Sequence, residues 1–265
     1  MNSKITIEIH NKSGNIIRQA SGNKFVSMIY DRDYQPGDKI IVTLPENKKH
    51  ALVKIDDCLE PALIHLPNAR LEYWVPYGDE LLGYPPGTFT GNRHVIEARE
   101  AEPEEIYSYR NIALNVLDQR RDTDCYPHVV ANAETRGEAV FAARNTIDGN
   151  TANTSHGEWP YLSWGDDENP DAEITLFFGR KVEIDKMVLF LRADFPHDSY
   201  WKEITAVFSD GSSLKLYLNK TGEGQKFSFP TKQVEWIKLL KLVKADDPSP
   251  FPALSQWEVY GRDIR

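Results

Sequence analysis

The chain is poor in cysteine, and it lacks any long apolar run. Only Cys58 and Cys125 occur among its 265 residues, far apart and without a CxxC spacing. This excludes a disulfide framework and a cysteine zinc motif, and it predicts two free thiols in a reducing compartment. No segment approaches the roughly 20 apolar residues of a membrane span, and the first residues, MNSKITIEIHNKSG, contain no signal-peptide core. We therefore expect a cytoplasmic protein.

An excess of positive charge is also missing. The 31 Lys and Arg residues are outnumbered by 40 Asp and Glu residues, which gives a formal net charge of −9. A field of that sign repels nucleic acid and anionic membranes, so we expect neither as a partner. The glycine patterns of dinucleotide-binding and phosphate-binding loops are absent as well.

What the sequence does contain is the alternation of β-strands. The segments KITIEIH, KIIVTL and HALVKID alternate apolar and polar residues, and turn signals such as KSGN, QPGD and YPPG separate them. This rhythm predicts an all-β fold of two tandem β-sandwich, jelly-roll-like domains. The acidic stretch EAREAEPEEI, residues 97–106, is the expected linker, with a short solvated helix as the alternative. The predicted domains are residues 1–105 and 106–265.

The second half returns to strands after one helical candidate. AEITLFFG, KMVLFLRAD, EITAVFSDGSSLKLYL, QKFSFP, EWIKLLKLVKA and QWEVYG read as strands, with SDGS as a hairpin turn. GEAVFAARNTI, residues 137–147, has apolar residues at helical spacing, so it is the strongest helix candidate.

Five motifs follow one another in the second half: YRNIALN, ARNTIDGNTANTS, AEITLFFGRKVEIDKMVLFLRAD, VFSDGSSLKL and WEVYGRDI. Their order resembles the discoidin, or coagulation factor 5/8 type C, family of galactose-binding-like domains. The resemblance implies an eight-stranded jelly roll over about 155 residues that is similar to carbohydrate-binding modules. The chain departs from the family at Ala172 and Glu173, where a tryptophan is usual, and its aromatic residues stand instead in SHGEWPYLSWG. It is therefore a divergent member, and sugar-binding residues cannot be carried over one by one.

The resemblance also implies a structural calcium ion at the IDGN loop. Asp148 matches the aspartate ligand, Asn145 supplies a carbonyl, and Asn150 and Thr154 add oxygens. Gln256 stands where the family often has glutamate, so one formal charge is missing. Calcium takes 6 to 8 oxygen ligands, which an irregular loop can provide. The alternative is a plain turn in which Asp148 accepts backbone N–H groups.

Two aromatic loops form the candidate ligand site. SHGEWPYLSWG, residues 155–165, is broken by Gly157 and Pro160, and we expect Trp164 to anchor it and Trp159 to be exposed. LRADFPHDSYW, residues 191–201, follows a strand and adds polar and aromatic groups. Aromatic rings stack on the apolar face of a sugar, while charged groups bind its hydroxyls. The predicted ligand-binding residues are Trp159, His156, Arg192, Asp194, His197 and Trp201; the alternative for each tryptophan is core packing. Phe251, in the proline-rich DPSPFPALSQ, is either a wall of the site or a cover over the sandwich end.

These observations favour a non-catalytic, lectin-like carbohydrate-binding protein. An enzyme is disfavoured because the carboxylate pairs Asp194 with Asp198 and Glu158 with Asp166, and Ser155 beside His156, lack a supporting motif. The remaining alternative is an interaction or assembly module, including a homo-oligomer. Its expected surface is a flat apolar patch of Tyr73, Trp74 and Tyr77 in LEYWVPYG.

Overall fold

A computed structural model describes residues 4–155, 157–193 and 199–265, and almost all of its regular structure is β. The strands are β1 Ile5–His10, β2 Ile16–Gly22, β3 Phe25–Tyr30, β4 Lys39–Thr43, β5 His50–Lys54, β6 Ala62–His65, β7 Arg70–Trp74, β8 His94–Glu100, β9 Arg110–Asn111, β10 His128–Ala131, β11 Trp164–Gly165, β12 Ile174–Arg192, β13 Trp201–Phe208, β14 Ser213–Tyr217, β15 Gln225–Lys244 and β16 Ala253–Asp263. Within these ranges there is one α-helix, α1, at Pro103–Tyr107, and 3₁₀ turns cover Gly78–Gly83, Thr135–Gly137, Ala139–Phe141 and Ala143–Ile147. Within the described ranges no helix is long and apolar enough to cross a bilayer.

The first domain is a sandwich of two four-stranded antiparallel sheets. Their strand orders are β2-β1-β4-β7 and β3-β8-β5-β6. The alternating residues of KITIEIH place Ile5, Ile7 and Ile9 on one face, and all three are fully buried. Because alternate side chains of a strand point to opposite faces, one apolar face per sheet is enough to build the core. The prediction of an all-β first domain is confirmed.

The second domain is built on an eight-stranded sheet with the path β11-β16-β12-β15-β13-β14; β10 adds to β12, and β9 adds to β16. The long strands β12 and β15 each cover two segments that the sequence predicted as separate strands. Their pairing register shifts between Phe177 and Val182, so each strand contributes two segments to the sheet. Both segments of β12 contact one hydrophobic core through Leu176 and Leu189. The predicted sandwich is confirmed in fold class.

The SDGS hairpin turn forms as expected between β13 and β14. Gly211 has a φ of +84°, and the carboxylate of Asp210 accepts the Ser212 N–H at 2.9 Å. Glycine adopts such a φ without steric cost, and aspartate closes the turn through its own side chain.

The prediction of a helix over residues 137–147 is wrong. The segment forms short 3₁₀ turns that are interrupted at Glu138 (ψ 142°) and Ala142 (ψ 148°), both extended. The carboxylate of Glu134 accepts the Ala143 N–H at 2.7 Å, so a side chain replaces the missing helical acceptor. Tertiary contacts have overridden a short periodic pattern.

The acidic stretch 97–106 is partly strand and partly helix. Its first residues complete β8, and the rest enters α1, where Glu102 and Glu105 form a reciprocal capping box. Arg99 binds Glu105 through two hydrogen bonds of 2.8 and 2.5 Å. The predicted helix alternative therefore describes the second half of the stretch.

The two hydrophobic cores overlap along the chain beyond residue 105, because Ile112 and Ala113 belong to the core of the second sandwich. Leu117 and Cys125, beyond the boundary in sequence, pack into the core of the first sandwich. The backbone of His65 pairs with that of Tyr126 through hydrogen bonds of 2.8 and 3.0 Å. The segment after β9 thus packs on the first sandwich before the chain enters the second.

The apolar patch expected at LEYWVPYG does not form as a flat surface. Tyr73 is fully buried, and its hydroxyl donates to that of Tyr84 at 3.2 Å. Trp74 is half-buried, with Lys39 Nζ 3.7 Å from its ring centroid. Of the three predicted residues only Tyr77 is exposed, because alternate strand residues point into the core.

Where the sandwiches meet, a buried carboxylate organises several charges. The side chain of Asp263 accepts hydrogen bonds from both Arg180 and Arg110, the latter at 3.1 Å, and from His50 Nε2 at 3.2 Å. Burial alone would raise the pKa of Asp263, but the bonds from Arg180 and His50 hold it well below the usual range. His65 Nδ1 lies 3.2 Å from His50 Nε2.

Acidification is expected to destabilise the protein through His65. Burial, then the nearby Arg180, lower the pKa of His65 to about 3, whereas the unfolded chain takes up this proton near pH 6.5. The contribution of the neutral His65 imidazole to the free energy of unfolding is therefore fully present above pH 6.5. It is lost as the pH falls toward 3. One proton corresponds to at most about 1.4 kcal/mol per pH unit, and to less here because the ring is only half-buried.

Urea unfolding at several pH values between 7 and 4.5 measures this effect by comparing the parent with His65→Gln. The stability of the variant should fall less steeply below pH 6.5, because glutamine does not titrate. Parallel curves would show that the imidazole is no more difficult to protonate in the folded chain than in the unfolded one.

Candidate ligand site at the rim of the second sandwich

The outer ends of three strands define a rim on the second sandwich. Ala253, the first residue of β16, pairs with Gly165 on one side and with Arg192 on the other. The loops next to these residues contain the tryptophans that the sequence singled out. We call residues 155–165 the tryptophan loop.

Trp164 anchors the tryptophan loop, as predicted. Its side chain is fully buried, and Nε1 donates to the Ala133 carbonyl at 2.8 Å. Its ring lies 5.8 Å, centroid to centroid, from that of Trp201. Leu162 adds a second attachment by packing in a small cluster with Val140 and Phe141.

Trp159 stands on the exposed part of the same loop. Two consecutive tight turns surround it, with the Tyr161 N–H donating to Glu158 O at 2.7 Å and the Leu162 N–H donating to Pro160 O at 2.9 Å. The residue is 37% exposed, which leaves part of the indole open to solvent. Three residues of chain span at most about 10 Å, so Trp159 stays close to the anchored Leu162.

Trp201 is not a ligand-facing residue, which corrects the prediction. It is 1% exposed, packs against Trp164, and donates from Nε1 to the carboxylate of Asp166 at 3.2 Å. Its position as the first residue of β13 turns the indole toward the core rather than the loop. Of the two predicted roles for this tryptophan, core packing is the one observed.

Arg192 lies beneath the rim instead of projecting from it. The residue is 5% exposed, its Nη1 donates to Ser163 Oγ at 3.4 Å, and its guanidinium carbon is 5.7 Å from the Phe141 ring centroid. It thus braces the tryptophan loop from below. His156, Asp194 and His197, the other predicted ligand contacts, and Asp198 of the carboxylate pair lie outside the described residues.

Two polar residues of the rim were not among the predicted ligand contacts, although Asp166 had been considered in a carboxylate pair with Glu158. Asp166 is half-buried, and burial raises the pKa of its carboxyl group even though Trp201 and the Glu168 N–H donate to it. Asn153 donates from Nδ2 to the carbonyls of Gly222 and Leu191, which ties two loops together. Asp166 directly follows the Trp-Gly pair, but nothing in the sequence signals Asn153.

Phe251 is a second exposed aromatic side chain near the rim, two residues before β16. It is 45% exposed. The loop that presents it is held by Lys244, whose Nζ donates to the carbonyls of Asp247 and Ser249, both at 2.7 Å. Of the two predicted roles, a wall of the site and a cover over the sandwich end, this exposure favours the wall.

The IDGN loop brings together most of the predicted metal ligands. The Asp148 carboxylate accepts the Asn150 N–H at 2.8 Å, and Gln256 Oε1 accepts the Gly149 N–H at 3.3 Å. Gln256 is fully buried, and its Nε2 has no hydrogen-bond partner among the described atoms. Burial raises the pKa of Asp148 to about 6, although Arg144 acts to lower it.

The other two predicted ligands fit less well. The side-chain oxygen of Asn145 accepts a hydrogen bond from Arg144 at 3.2 Å, and Thr154 is exposed at the surface. In the described part of the chain no group of three His, Cys, Asp or Glu side chains is arranged to hold a metal. A cation here would depend on Asp148, the amide oxygens and backbone carbonyls, which suits calcium better than a transition metal.

No family model matches the chain, and no curated protein matches it. Among solved structures it is similar to chitosan-binding module 1 of a chitosanase/glucanase from Paenibacillus sp. IK-5, at 19% identity over 57% of this chain and 99% of the module, with a TM-score of 0.40. A family 32 carbohydrate-binding module of NanJ from Clostridium perfringens, in complex with galactose, is 14% identical over 50% of this chain and 91% of that one, with a TM-score of 0.38. The C-terminal domain of a chitobiase from Bacteroides fragilis has 15% identity over 51% and 92%, with a TM-score of 0.41. The solved structures similar to this chain thus include carbohydrate-binding modules, and the likeness covers about half of it.

Proposed function

We propose that the chain binds a carbohydrate without transforming it, at the rim of the second sandwich. The observation that supports the proposal is the different exposure of the two tryptophans in the tryptophan loop. Trp164 is buried and fixes the loop, whereas Trp159 remains exposed. An exposed indole held on a fixed loop loses little conformational freedom when a sugar stacks on it. Phe251, exposed near the same rim, supplies a second apolar surface.

The rim is suited to a neutral sugar. Arg192 is buried under the loop, so the described part of the rim offers aromatic faces and backbone groups more than free charge. A pyranose presents apolar C–H faces together with hydroxyl groups that bind such polar edges. A glycan array followed by calorimetry identifies the sugar; a folded sample that binds no glycan at millimolar concentration would contradict the proposal.

Replacing Trp159 by alanine should weaken binding of the sugar identified on the array by tenfold or more, because the stacking surface is lost. The melting temperature should stay close to that of the parent, since the residue belongs to the exposed part of the loop. Tyr217→Ala is the matched control, because Tyr217 is an exposed aromatic residue on β14. It should bind as the parent does, and equal binding by the Trp159 variant would remove the indole from the site.

We further propose that the IDGN loop binds calcium as a structural ion. Asp148 and the oxygens of Asn150 and Gln256 would hold it, together with backbone carbonyls. The desolvated carboxylate of Asp148, whose nearby positive charge is Arg144, would be stabilised by a second cation. Bound calcium would fix the loop that precedes the tryptophan loop.

Adding calcium to chelator-treated protein should then raise its melting temperature. An ion that binds only the folded state stabilises it by about 2.7 kcal/mol at a hundredfold excess over its dissociation constant. Asp148→Asn is the matched variant and should lose the calcium-dependent shift, with magnesium as the control ion for both proteins. A parent protein that melts at the same temperature with and without millimolar calcium would leave the loop as a turn closed by Asp148.

A further inference from the structure

A concave surface lies between the two sandwiches, away from the rim. This interdomain cleft has a volume of 640 Å³ and is lined by Lys24, Lys48, Lys49 and His50 of the first sandwich and by Arg180, Lys181 and Asp263 of the second, among others. Its volume is in the range of small-molecule sites, which is roughly 300 to 1,000 Å³. The tryptophan loop contributes no described residue to it.

The floor of the cleft is a fixed arginine. Arg180 donates from Nη2 to Asp263 at 2.9 Å, from Nε to the other oxygen of that carboxylate, and from Nη1 to the Phe178 carbonyl at 2.7 Å. Asp263 also accepts bonds from Arg110 and His50. The carboxylate is thus fully occupied by protein donors, so it serves to hold these groups in place and has little capacity left for a cation.

Positive charge dominates the walls. Five cations line the cleft, namely Lys24, Lys48, Lys49, Arg180 and Lys181, against the three carboxylates Glu100, Glu102 and Asp263. Lys48 pairs with Glu100 at 3.0 Å, and Glu102 accepts the N–H of Glu105 in the capping box of α1. The cleft therefore has more positive than negative side chains, whereas the whole chain has a net charge of −9.

Several of these lysines are available to a ligand. Lys24 and Lys181 are exposed, and across the described residues neither has a carboxylate within ion-pair distance. The Lys49 ammonium donates to the carbonyl of Pro67, a neutral acceptor that leaves its charge uncompensated. Lys24 and Lys49 belong to the first sandwich and Lys181 to the second, so one ligand could be held from both sides.

The cleft and the rim are at opposite ends of β16, which begins at Ala253 and ends at Asp263. Val182 pairs with Asp263 at the cleft, and Arg192 pairs with Ala253 at the rim. The ten residues between them correspond to about 30 Å of strand. One ligand of the size of a single sugar cannot contact both sites.

We propose that the interdomain cleft binds an oxyanion, a carboxylate, sulfate or phosphate group carried on a ligand of about sugar size. Lysines from both walls attract the charge, and Arg180, held in place at the floor, keeps a second N–H on each of Nη1 and Nη2. The proposal does not depend on carbohydrate binding at the rim. Binding would also join the two sandwiches more firmly, because the cations that hold the ligand come from both.

Calorimetric titration at low ionic strength tests the proposal with galacturonate, inorganic phosphate and neutral galactose as probes. The parent should bind galacturonate or phosphate. The probe that binds shows whether the ligand's charged group is a carboxylate or a phosphate. Lys24→Glu/Lys181→Glu should weaken that binding at least tenfold, because it reverses charge on both walls. Lys202→Glu, at an exposed lysine on β13 outside the cleft, should bind as the parent does.

Trp159→Ala should bind the anion unchanged, which separates failure of this proposal from failure of the proposed sugar site. Circular dichroism and melting curves verify that the double variant is folded. Failure of both anions to bind the parent, or equal affinities of the parent and the folded double variant, would overturn the proposal. So would affinity that is the same for galactose as for galacturonate and is insensitive to the lysines.

Discussion

Trp164→Ala is expected to lower the free energy of unfolding by about 3 to 5 kcal/mol, as truncation of a large buried aromatic side chain does. The indole is fully buried against Trp201, and its Nε1 satisfies the carbonyl of Ala133. Alanine would leave a cavity between the tryptophan loop and the sandwich and an unpaired carbonyl beside it. Urea unfolding monitored by circular dichroism measures the change.

The matched comparison is Trp159→Ala, in the same loop. Because Trp159 is exposed, its removal should change stability by about 0.5 kcal/mol or less, as is usual at the surface. The two tryptophans would thus separate stability from binding. If both variants unfold at the same urea concentration, the loop is held by contacts other than the Trp164 indole.

Arg144→Met is expected to cost a similar amount, about 3 to 5 kcal/mol, because it removes the donors of a buried guanidinium. Arg144 is 5% exposed and donates to the carbonyls of Asp118 at 2.7 Å, Gly83 at 2.8 Å and Val116 at 3.3 Å. Gly83 belongs to the first sandwich, whereas Arg144 lies in the segment leading to the second. The side chain also lies over the Tyr84 ring, with the guanidinium carbon 4.3 Å from its centroid.

Methionine retains much of the length of the side chain, so the expected loss reflects the carbonyls left without a donor. Because these contacts join the sandwiches, unfolding should also separate into two transitions, seen by calorimetry. Arg136→Met is the control, since Arg136 is an exposed residue paired with Glu138, and it should behave as the parent does. A single transition at the parent temperature in Arg144→Met would show that the interface does not depend on this arginine.

The strand pattern was predictable because it depends on local chemistry. In KITIEIH, alternation alone places Ile5, Ile7 and Ile9 in a core, and in SDGS the aspartate and glycine close a turn whatever surrounds it. The helix expected over residues 137–147 failed for the opposite reason. Its periodic pattern is short, and the contact of Glu134 with Ala143 holds the segment in another path.

The candidate site was only partly predictable. The breaks at Gly157 and Pro160 predicted a loop ahead of β11, and proximity to the next strand favoured Trp164 as its anchor. Nothing in the sequence distinguished Trp201 from Trp159, because both stand beside polar and loop-forming residues. The direction of the Trp201 indole depends on its position at the start of β13, where it meets Trp164 and Asp166.

By itself the sequence determined that this protein is all-β and that a loop broken at Gly157 and Pro160 contains Trp159. Such features depend on periodicity and turn chemistry within a few residues of chain. Only the tertiary structure decided which tryptophan is buried, that Arg192 lies under the loop, and that Lys24 and Lys181 face one cleft. These outcomes depend on contacts between segments far apart in sequence, and such contacts are fixed by the packing of whole sheets rather than by any local pattern.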